Sequence, residues 1–164
     1  MFYEKVFRAL NKARVKYLVA GGVAVNLYGI QRTTGDLDLI VLLEEPNLKL
    51  FVSAVRKLKL RPKIPVKLED FIDPQLRKKW REEKNMLVFS LYDPKNPYFL
   101  LDIMIESQID FSKAFKQKEK VKLGALTIPV MSIGDLIKLK KKAGRPQDIS
   151  DIYYLKQIKE GKIK

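Results

Sequence analysis

Two aspartates at alternate positions open an apolar segment of the sequence. Asp36 and Asp38 flank Leu37, and Leu39 and Val41 follow. Because strand residues two apart point to the same face, the two acids would share one face and the apolar residues the other. Their Cα atoms would lie about 6.5–7 Å apart, so that one divalent cation, or a closely spaced pair, fits between the carboxylates. Two solvated acids at a strand end are the simpler alternative.

A glycine pair lies upstream of these acids, with 13 residues between it and Asp36. Gly21 and Gly22 separate the apolar stretch 17–20 from a segment with helical character. Backbone N–H groups at such a turn, backed by a helix N-terminus, favour a phosphate group. A tight turn that needs a positive φ angle would account for the same glycines.

The composition restricts the chemistry that is available. The chain has no cysteine and no histidine, which excludes thiolate nucleophiles, zinc–thiolate sites and imidazole bases. Catalysis must therefore rest on carboxylate, Lys, Arg, Tyr or hydroxyl groups. A bound metal would be a hard ion with oxygen ligands, and Mg²⁺ or Mn²⁺ fits this description best.

Together, the glycine pair and the acid pair resemble the signature of the nucleotidyltransferase superfamily, which has the DNA polymerase β-like fold. That signature is an apolar residue, Gly and then Gly or Ser, a gap of similar length, and acids alternating with apolar residues. The matching segments are Ala20-Gly21-Gly22 and Asp36-Leu37-Asp38-Leu39. The resemblance implies that the glycines bind the phosphates of a nucleoside triphosphate and that the two acids hold Mg²⁺ or Mn²⁺.

A third acid, which the family takes from a neighbouring strand, has a candidate in Asp102. It lies in the apolar segment 99–105, where a carboxylate needs a compensating partner. The resemblance makes it the third metal ligand and the general base. A salt bridge to a lysine would also satisfy it. Glu106, at the end of the same segment, is a weaker candidate for the role.

The residues just before the acid pair extend the resemblance to small, minimal members of the superfamily, through the pattern Arg-x-Thr-x-Asp-x-Asp. Arg32 is then expected to bind the triphosphate through a bidentate contact, and Thr34 is expected beside the nucleotide. A surface arginine is the alternative for Arg32.

A second resemblance covers residues 136–152, which are similar to the C-terminal part of the AbiEii-type branch known from toxin–antitoxin systems. Carried over by position, Lys140 and Asp148 become nucleotide-binding residues, with Asp151 next to them. The residues alone indicate less. Asp148 lies in the first turn of a helix, where its charge suits the dipole, and the lysines at 138–142 also fit a solvated face.

The elements that position these residues can be predicted from periodicity and turn signals. Helices are predicted at 2–15, 23–28, 48–60, 68–84 (interrupted near residue 73), 132–142 and 146–158. Strands are predicted at 17–20, 37–43, 86–92, 98–105 and 126–130, with a hairpin turn at 93–97. The expected fold class is α/β (α+β), a mixed, mostly antiparallel sheet of about 4–5 strands flanked by helices.

We expect a single nucleotidyltransferase-like domain over residues 1–164, with a catalytic core at about 1–110 and a helical part at about 131–160. No apolar run approaches the ~20 residues that span a bilayer, and the N-terminus lacks a signal-peptide pattern. The sequence therefore predicts a cytoplasmic protein with no membrane partner.

The charge balance indicates what the surface attracts. With 33 Lys and Arg against 19 acids, the net charge is +14, and a field of that sign attracts RNA, DNA or nucleotides. A Lys-rich surface of the hyperthermophile kind would show the same excess.

Three functions follow from these observations. The first is a nucleotidyltransferase that moves an NMP group from an NTP to a hydroxyl of an RNA end, a protein or a small molecule such as an aminoglycoside. The resemblance to the AbiEii-type branch implies that such an enzyme could be the toxin-like component of a toxin–antitoxin pair and act with a partner subunit. The second is a nucleotide- or partner-binding module with the same fold and no turnover. A basic nucleic-acid-binding protein ranks last, because the sequence does not indicate the paired surface aromatics that stack bases.

Overall fold

A computed structural model of the chain describes residues 2–106 and 108–163. The helices are α1 (Phe2–Lys12), α2 (Gly21–Leu27), α3 (Glu45–Lys57), α4 (Pro74–Lys84), α5 (Phe111–Lys116), α6 (Ile133–Ala143) and α7 (Pro146–Lys159), with a 3-10 helix at Leu68–Ile72. The strands are β1 (Tyr17–Ala20), β2 (Asp36–Val41), β3 (Arg61–Pro62), β4 (Val88–Asp93), β5 (Asn96–Met104), β6 (Glu119–Leu123) and β7 (Leu126–Val130).

The strands form one sheet in the order β3-β4-β5-β2-β1-β7-β6. Strands β2 and β5 pair in parallel, as do β1 and β7, and the other four pairings are antiparallel. The mixed, mostly antiparallel sheet is therefore confirmed, but the predicted count of 4–5 strands is wrong, because the sheet has seven. The strands that were missed, β3 and β6, are short and lie at the two edges, where pairing with a neighbour rather than apolar periodicity makes a segment a strand.

The apolar face of the central strands is backed by an aromatic cluster. Phe71 stacks on Phe89 with ring centroids 4.8 Å apart, and Trp80 stacks on the same ring at 5.4 Å. Phe89 lies in β4 and is fully buried, as are Leu37, Leu39, Leu101 and Ile103 of β2 and β5. Burying each such side chain contributes about 1.5–3 kcal/mol, so the strands that carry the acids have a rigid support behind them.

The opposite face of the sheet carries α2, which packs on β1 and β2. Farther along the chain, α6 begins after Ser132, whose hydroxyl caps the helix by accepting a hydrogen bond from the Asp135 amide at 3.2 Å. Gly144 ends α6 with φ at 63°, and α7 follows at once and packs against α6. Among the described helices, none is long and apolar enough to cross a membrane.

Candidate active site

Strand pairing places the three predicted acids on one face of the sheet. Asp38 of β2 lies opposite Asp102 of β5 in the parallel register, and Asp36 lies opposite Leu100. Residues in register on adjacent strands point to the same side, and so do residues two apart on one strand. The acid face, as we call the side that carries Asp36, Asp38 and Asp102, is thus built by two strands that the sequence separates widely.

Asp102 has a hydrogen-bond partner that the sequence did not indicate. The hydroxyl of Ser90, its register neighbour on β4, donates to Asp102 Oδ1 at 2.6 Å. Burial raises the pKa of Asp102, and the charge of Asp36 adds to this, while the Ser90 hydrogen bond and the Lys63 charge act in the opposite direction. Only the pairing of β4 with β5 reveals Ser90, since nothing in its local sequence points to the site.

Asp38 lies in the most unfavourable environment of the acid face. Burial raises the pKa of its carboxyl group to about 6, helped by the charges of Asp102 and Asp36, while Lys140 and Arg145 partly counteract the rise. Buried carboxylates that repel one another favour a cation that would compensate them.

The glycine turn lies directly against this carboxylate. Gly21 has φ at +62°, a left-handed conformation that favours glycine, and a Cβ atom at this position would overlap the Asp38 carboxylate. The predicted phosphate-binding turn and the predicted metal ligand are therefore in contact, with no side chain between them.

The second glycine brings two further predicted residues together. A Cβ atom on Gly22 would lie 2.8 Å from Thr34 Oγ1 and 3.2 Å from Arg32 Cζ. The Arg32 guanidinium thus packs over the start of α2. The backbone N–H of Arg32 donates a hydrogen bond to Asn26 Oδ1 at 3.2 Å. Within the described part of the chain, Arg32 Nε is buried without a hydrogen-bond partner.

A buried ionic network connects this loop to the C-terminal helices. Asp151, which is 2% exposed, forms an ion pair with Arg32 and accepts a hydrogen bond from Lys140 Nζ at 2.7 Å. Lys140 also lies 3.7 Å from Asp148. The sequence placed Asp151 only as a neighbour of the site, whereas the structure makes it the residue that joins Arg32 to Lys140.

Asp148 closes the network at the start of α7. Its carboxylate accepts hydrogen bonds from Arg145 Nε at 2.8 Å and from the Arg145 amide at 3.1 Å. Burial alone would raise the pKa of Asp148, but these hydrogen bonds and the charges of Arg145 and Lys140 lower it overall. Glu106, the weaker candidate for the third acid, instead forms an exposed ion pair with Arg81 at 2.9 Å.

The donor set of the acid face fits a hard divalent cation, since it offers carboxylate oxygens alone. Strand register places the three acids on one face, but their carboxyl groups are not gathered around one point. Over residues 2–106 and 108–163, no three acidic side chains gather closely enough to form a ready-made metal cluster. The strand backbone therefore places the candidate metal ligands on one face. The raised pKa of Asp38 is the observation that favours a cation at this place.

The sequence matches no protein-family model and no curated protein, but the fold matches several solved structures. The lincosamide antibiotic adenylyltransferase LnuA, bound to lincomycin, aligns with a TM-score of 0.62 and 16% identity over 96% of this chain and 94% of its own. The chain has the nucleotidyltransferase fold. The antibiotic-resistance factor ANT(2'')-Ia in complex with adenylyl-2''-tobramycin aligns at 0.58 and 14% identity, over 96% of this chain and 87% of its own.

A third structure with this nucleotidyltransferase fold is an antigenic nucleotidyltransferase-like protein from Paracoccidioides brasiliensis. It aligns with a TM-score of 0.55 and 15% identity, over 91% of this chain and 71% of its own. Identities this low establish a common fold, which confirms the fold expected from the sequence. The reaction has to be argued from the site of this chain.

Proposed function

We propose that the protein is a metal-dependent nucleotidyltransferase, which moves an NMP group from an NTP to a hydroxyl acceptor. The observation that carries the proposal is the contact between Gly21 and the Asp38 carboxylate. It joins a phosphate-binding turn to a pair of register-matched acids, Asp38 and Asp102, within a nucleotidyltransferase fold. A structural turn alone has no need for an acid of raised pKa beside it.

The triphosphate binds along the start of α2. The backbone N–H groups at Gly21 and Gly22 face the phosphates, and Arg32 adds its unpaired, buried Nε–H. The Thr34 hydroxyl lies beside the same glycine turn, next to Gly22. Lys140 contributes positive charge that acts on Asp38, and Asp148 holds Lys140 and Arg145 in place.

Asp36, Asp38 and Asp102 would hold Mg²⁺ or Mn²⁺, which when bound supplies charge neutralisation and Lewis acidity at the phosphates. Asp102 accepts the proton of the attacking hydroxyl. The hydroxyl oxygen forms a bond to the α-phosphorus, and the bond from that phosphorus to the departing oxygen breaks, so pyrophosphate leaves with the electron pair. Gly21, Gly22 and Arg32 stabilise its charge.

The experiment is incubation with Mg²⁺ and α-labelled NTPs, followed by detection of pyrophosphate and of labelled acceptor. Asp36→Ala and Asp38→Ala are expected to abolish the signal, whereas Glu83→Ala, an exposed acid of α4, should leave it intact. Full activity in Asp38→Ala would refute the assignment of the site.

The alternative is a nucleotide- or partner-binding module with no turnover. One observation favours it, namely that the acid side chains do not form a ready-made three-ligand cluster in the described residues. Such a module would be stabilised by NTP together with Mg²⁺ and would release no pyrophosphate, so the same assay separates the two functions.

The placement in the AbiEii-type branch, and with it a toxin-like role beside a partner subunit, belongs to the same proposal and rests on the resemblance of residues 136–152. Induced expression should then arrest growth in a way that Asp38→Ala abolishes. Arrest that persists in Asp38→Ala would separate toxicity from this site.

A further inference from the structure

The acid face is buried toward β1 and more exposed toward β4 and β5. Beside the acids, Leu18 of β1 and Ile40 of β2 are 0% and 2% exposed. Toward β4 and β5 the same face is only half-buried, through Val88, Ser90, Tyr92, Leu100 and Met104. An open shelf therefore runs from Asp102 to the sheet edge at β3, and we call this surface the acceptor shelf.

Strand register gives the acceptor shelf two rows. In the first row Arg61 of β3 lies opposite Tyr92, Tyr92 opposite Leu100, and Leu100 opposite Asp36. In the second row, Ser90 lies between Asp102 and Lys63, and the Lys63 amide donates to the Ser90 carbonyl at 2.9 Å. Each row thus ends in an acid at the centre of the sheet and a cation at its edge.

The charges of Arg61 and Lys63 are not compensated by an ion pair with a described residue. Arg61 and Lys63 are exposed, and neither forms a salt bridge with any described residue. They lie two strands away from Asp102, about 10 Å at the usual strand spacing, and the charge of Lys63 still acts on Asp102. This end of the shelf attracts an anion and repels a cation.

Aromatic rings lie between the cations and the acids. Tyr92 is half-buried on β4, and Tyr98 of β5 is 88% exposed and on the same face as Leu100 and Asp102 by strand alternation. Residues diagonal to each other on paired strands remain within reach of aromatic side chains. The hairpin register thus places Tyr98 diagonal to Tyr92 on this face, a position that the sequence did not indicate.

We propose that the acceptor shelf binds the hydroxyl acceptor and selects one that carries a phosphate group, with Arg61 and Lys63 on the phosphate and the hydroxyl at Asp102. The inference rests on the proposed function. In the transfer, the acceptor oxygen forms the bond to the NTP α-phosphorus, Asp102 takes the proton, and pyrophosphate leaves. The two cations at the edge of the shelf disfavour a polycationic acceptor such as an aminoglycoside.

The first test compares three acceptors at saturating NTP and Mg²⁺: a single-stranded hexaribonucleotide with a free 3′ hydroxyl, ribose 5-phosphate, and tobramycin. Label transfer to a phosphate-bearing acceptor and none to tobramycin is the expected result. Preferential transfer to tobramycin overturns the proposal. Transfer to the hexaribonucleotide alone identifies a nucleic-acid end as the source of the phosphate, transfer to ribose 5-phosphate alone identifies a phosphorylated small molecule, and equal transfer to both shows that the phosphate group is sufficient for recognition.

A binding measurement without turnover separates failure of this inference from failure of the proposed function. We expect the double variant R61A/K63A to bind a fluorescent hexaribonucleotide about tenfold or more weakly, because it removes two charged hydrogen-bond donors to the phosphates. The matched control K120A/K122A removes the same charge from β6, the opposite edge strand, and should change binding less than about twofold.

Two further results decide the proposal. Equal weakening by R61A/K63A and K120A/K122A would show general attraction to a basic surface, and an unchanged R61A/K63A would show no contact at the shelf, so either overturns it. If the hexaribonucleotide is the acceptor, Tyr98→Ala should weaken its binding about tenfold while Tyr98→Phe retains it, because both Tyr and Phe offer a ring on which a base can stack.

Discussion

The carboxyl group of Asp38 is held among charges of its own sign, between Asp36 on its own strand and Asp102 on the next. It is also in contact with the Gly21 backbone, which gives it little access to water. An acid in such a place destabilises the folded protein whenever it is ionised and has no cation beside it. Ionised Asp38 is therefore expected to lower the stability of the folded protein, and this can be measured.

The pH dependence of stability should show this effect. The pKa of Asp38 is raised by burial from 3.8 to about 6 in the folded protein, so the folded state holds the proton more tightly than the unfolded state. Its contribution to stability is full below the unfolded pKa and is lost as the pH rises through about 6. In a chelator, the free energy of unfolding of Asp38→Asn minus that of the wild type should increase by on the order of 2 kcal/mol between about pH 4 and 7.

Added Mg²⁺ should offset the destabilisation by ionised Asp38 at neutral pH. We expect it to raise the melting temperature of the wild type and to have no effect on Asp38→Asn, because the substitution removes a ligand. An equal Mg²⁺ response in both proteins would place the ion elsewhere, and a pH-independent difference between them in chelator would contradict the raised pKa.

Gly22 offers a sharper test of the proposed nucleotide pocket than the acids do. Gly22→Ala places a Cβ atom 2.8 Å from Thr34 Oγ1 and 3.2 Å from Arg32 Cζ, whereas Gly35→Ala meets no heavy atom within 4 Å. We expect Gly22→Ala to weaken NTP binding at least about tenfold by displacing Arg32 and Gly35→Ala to leave it unchanged. Isothermal titration with a non-hydrolysable NTP measures both, and equal affinities would remove Gly22 from the pocket.

At this scale the structure brings the predicted residues Gly21, Asp38 and Asp102 together, but the sequence predicted their contacts incompletely. The spacing of glycines and acids was enough to predict Gly21, Asp36 and Asp38, because one turn and one strand hold them. Ser90 and Lys63 could not be predicted, since they approach Asp102 only through the pairing of β3 and β4 with β5.

At the scale of elements, the junction between α6 and α7 is held by charges rather than by apolar packing alone. Asp151 accepts from Lys140 at 2.7 Å and from Gln147 at 3.1 Å, and it pairs with Arg32. Lys140 and Asp151 are 6% and 2% exposed, so removing Asp151 leaves the buried ammonium group of Lys140 with only the more distant carboxylate of Asp148, at 3.7 Å, among the described residues.

We expect Asp151→Leu to lower the free energy of unfolding by about 3–5 kcal/mol. The double variant Asp151→Leu with Lys140→Met should recover part of that loss, because it removes a buried ammonium group that has lost its nearest carboxylate. Glu45→Ala breaks the exposed pair with Lys49 and should cost less than about 1 kcal/mol. Chemical denaturation measures all three, and additive losses in the double variant would contradict a coupled pair.

Acid should loosen the same junction. The pKa of Asp148 stays below its usual value, because hydrogen bonds from Arg145 outweigh the effect of burial. Its contribution is therefore present above the unfolded pKa and is lost as the pH falls below about 4. Unfolding curves of Asp148→Asn should depend less on pH in that range than those of the wild type, and those of Glu83→Gln should match the wild type.

The elements that sequence periodicity predicted are those with an apolar face, such as α1, β2 and β5. The edge strands β3 and β6 and the short helix α5 were missed. Strand β3 has two residues, and β6 exposes Glu119, Lys120 and Lys122. Such segments depend on a neighbour that the sequence does not identify.

For the molecule as a whole, the net charge of +14 sets the dependence on ionic strength. Charges of one sign repel within the compact state, and salt screens them over a Debye length that falls from about 30 Å at 0.01 M to about 8 Å at 0.15 M. We expect the melting temperature to rise over this range of NaCl. Lys120→Glu should raise it at low salt and have a smaller effect at high salt, and a melting temperature that falls with NaCl would contradict the expectation.

The bond between Arg32 and Asp151 spans 119 residues of sequence, and this separation orders events during synthesis. A ribosome that adds about 5–20 residues per second makes Asp151 roughly 6–24 s after Arg32. In that interval the glycine turn and the first two acids already exist, but the carboxylate that fixes Arg32 and Lys140 does not. The nascent chain thus lacks part of the ionic network, and the candidate site is completed only as α7 emerges and docks.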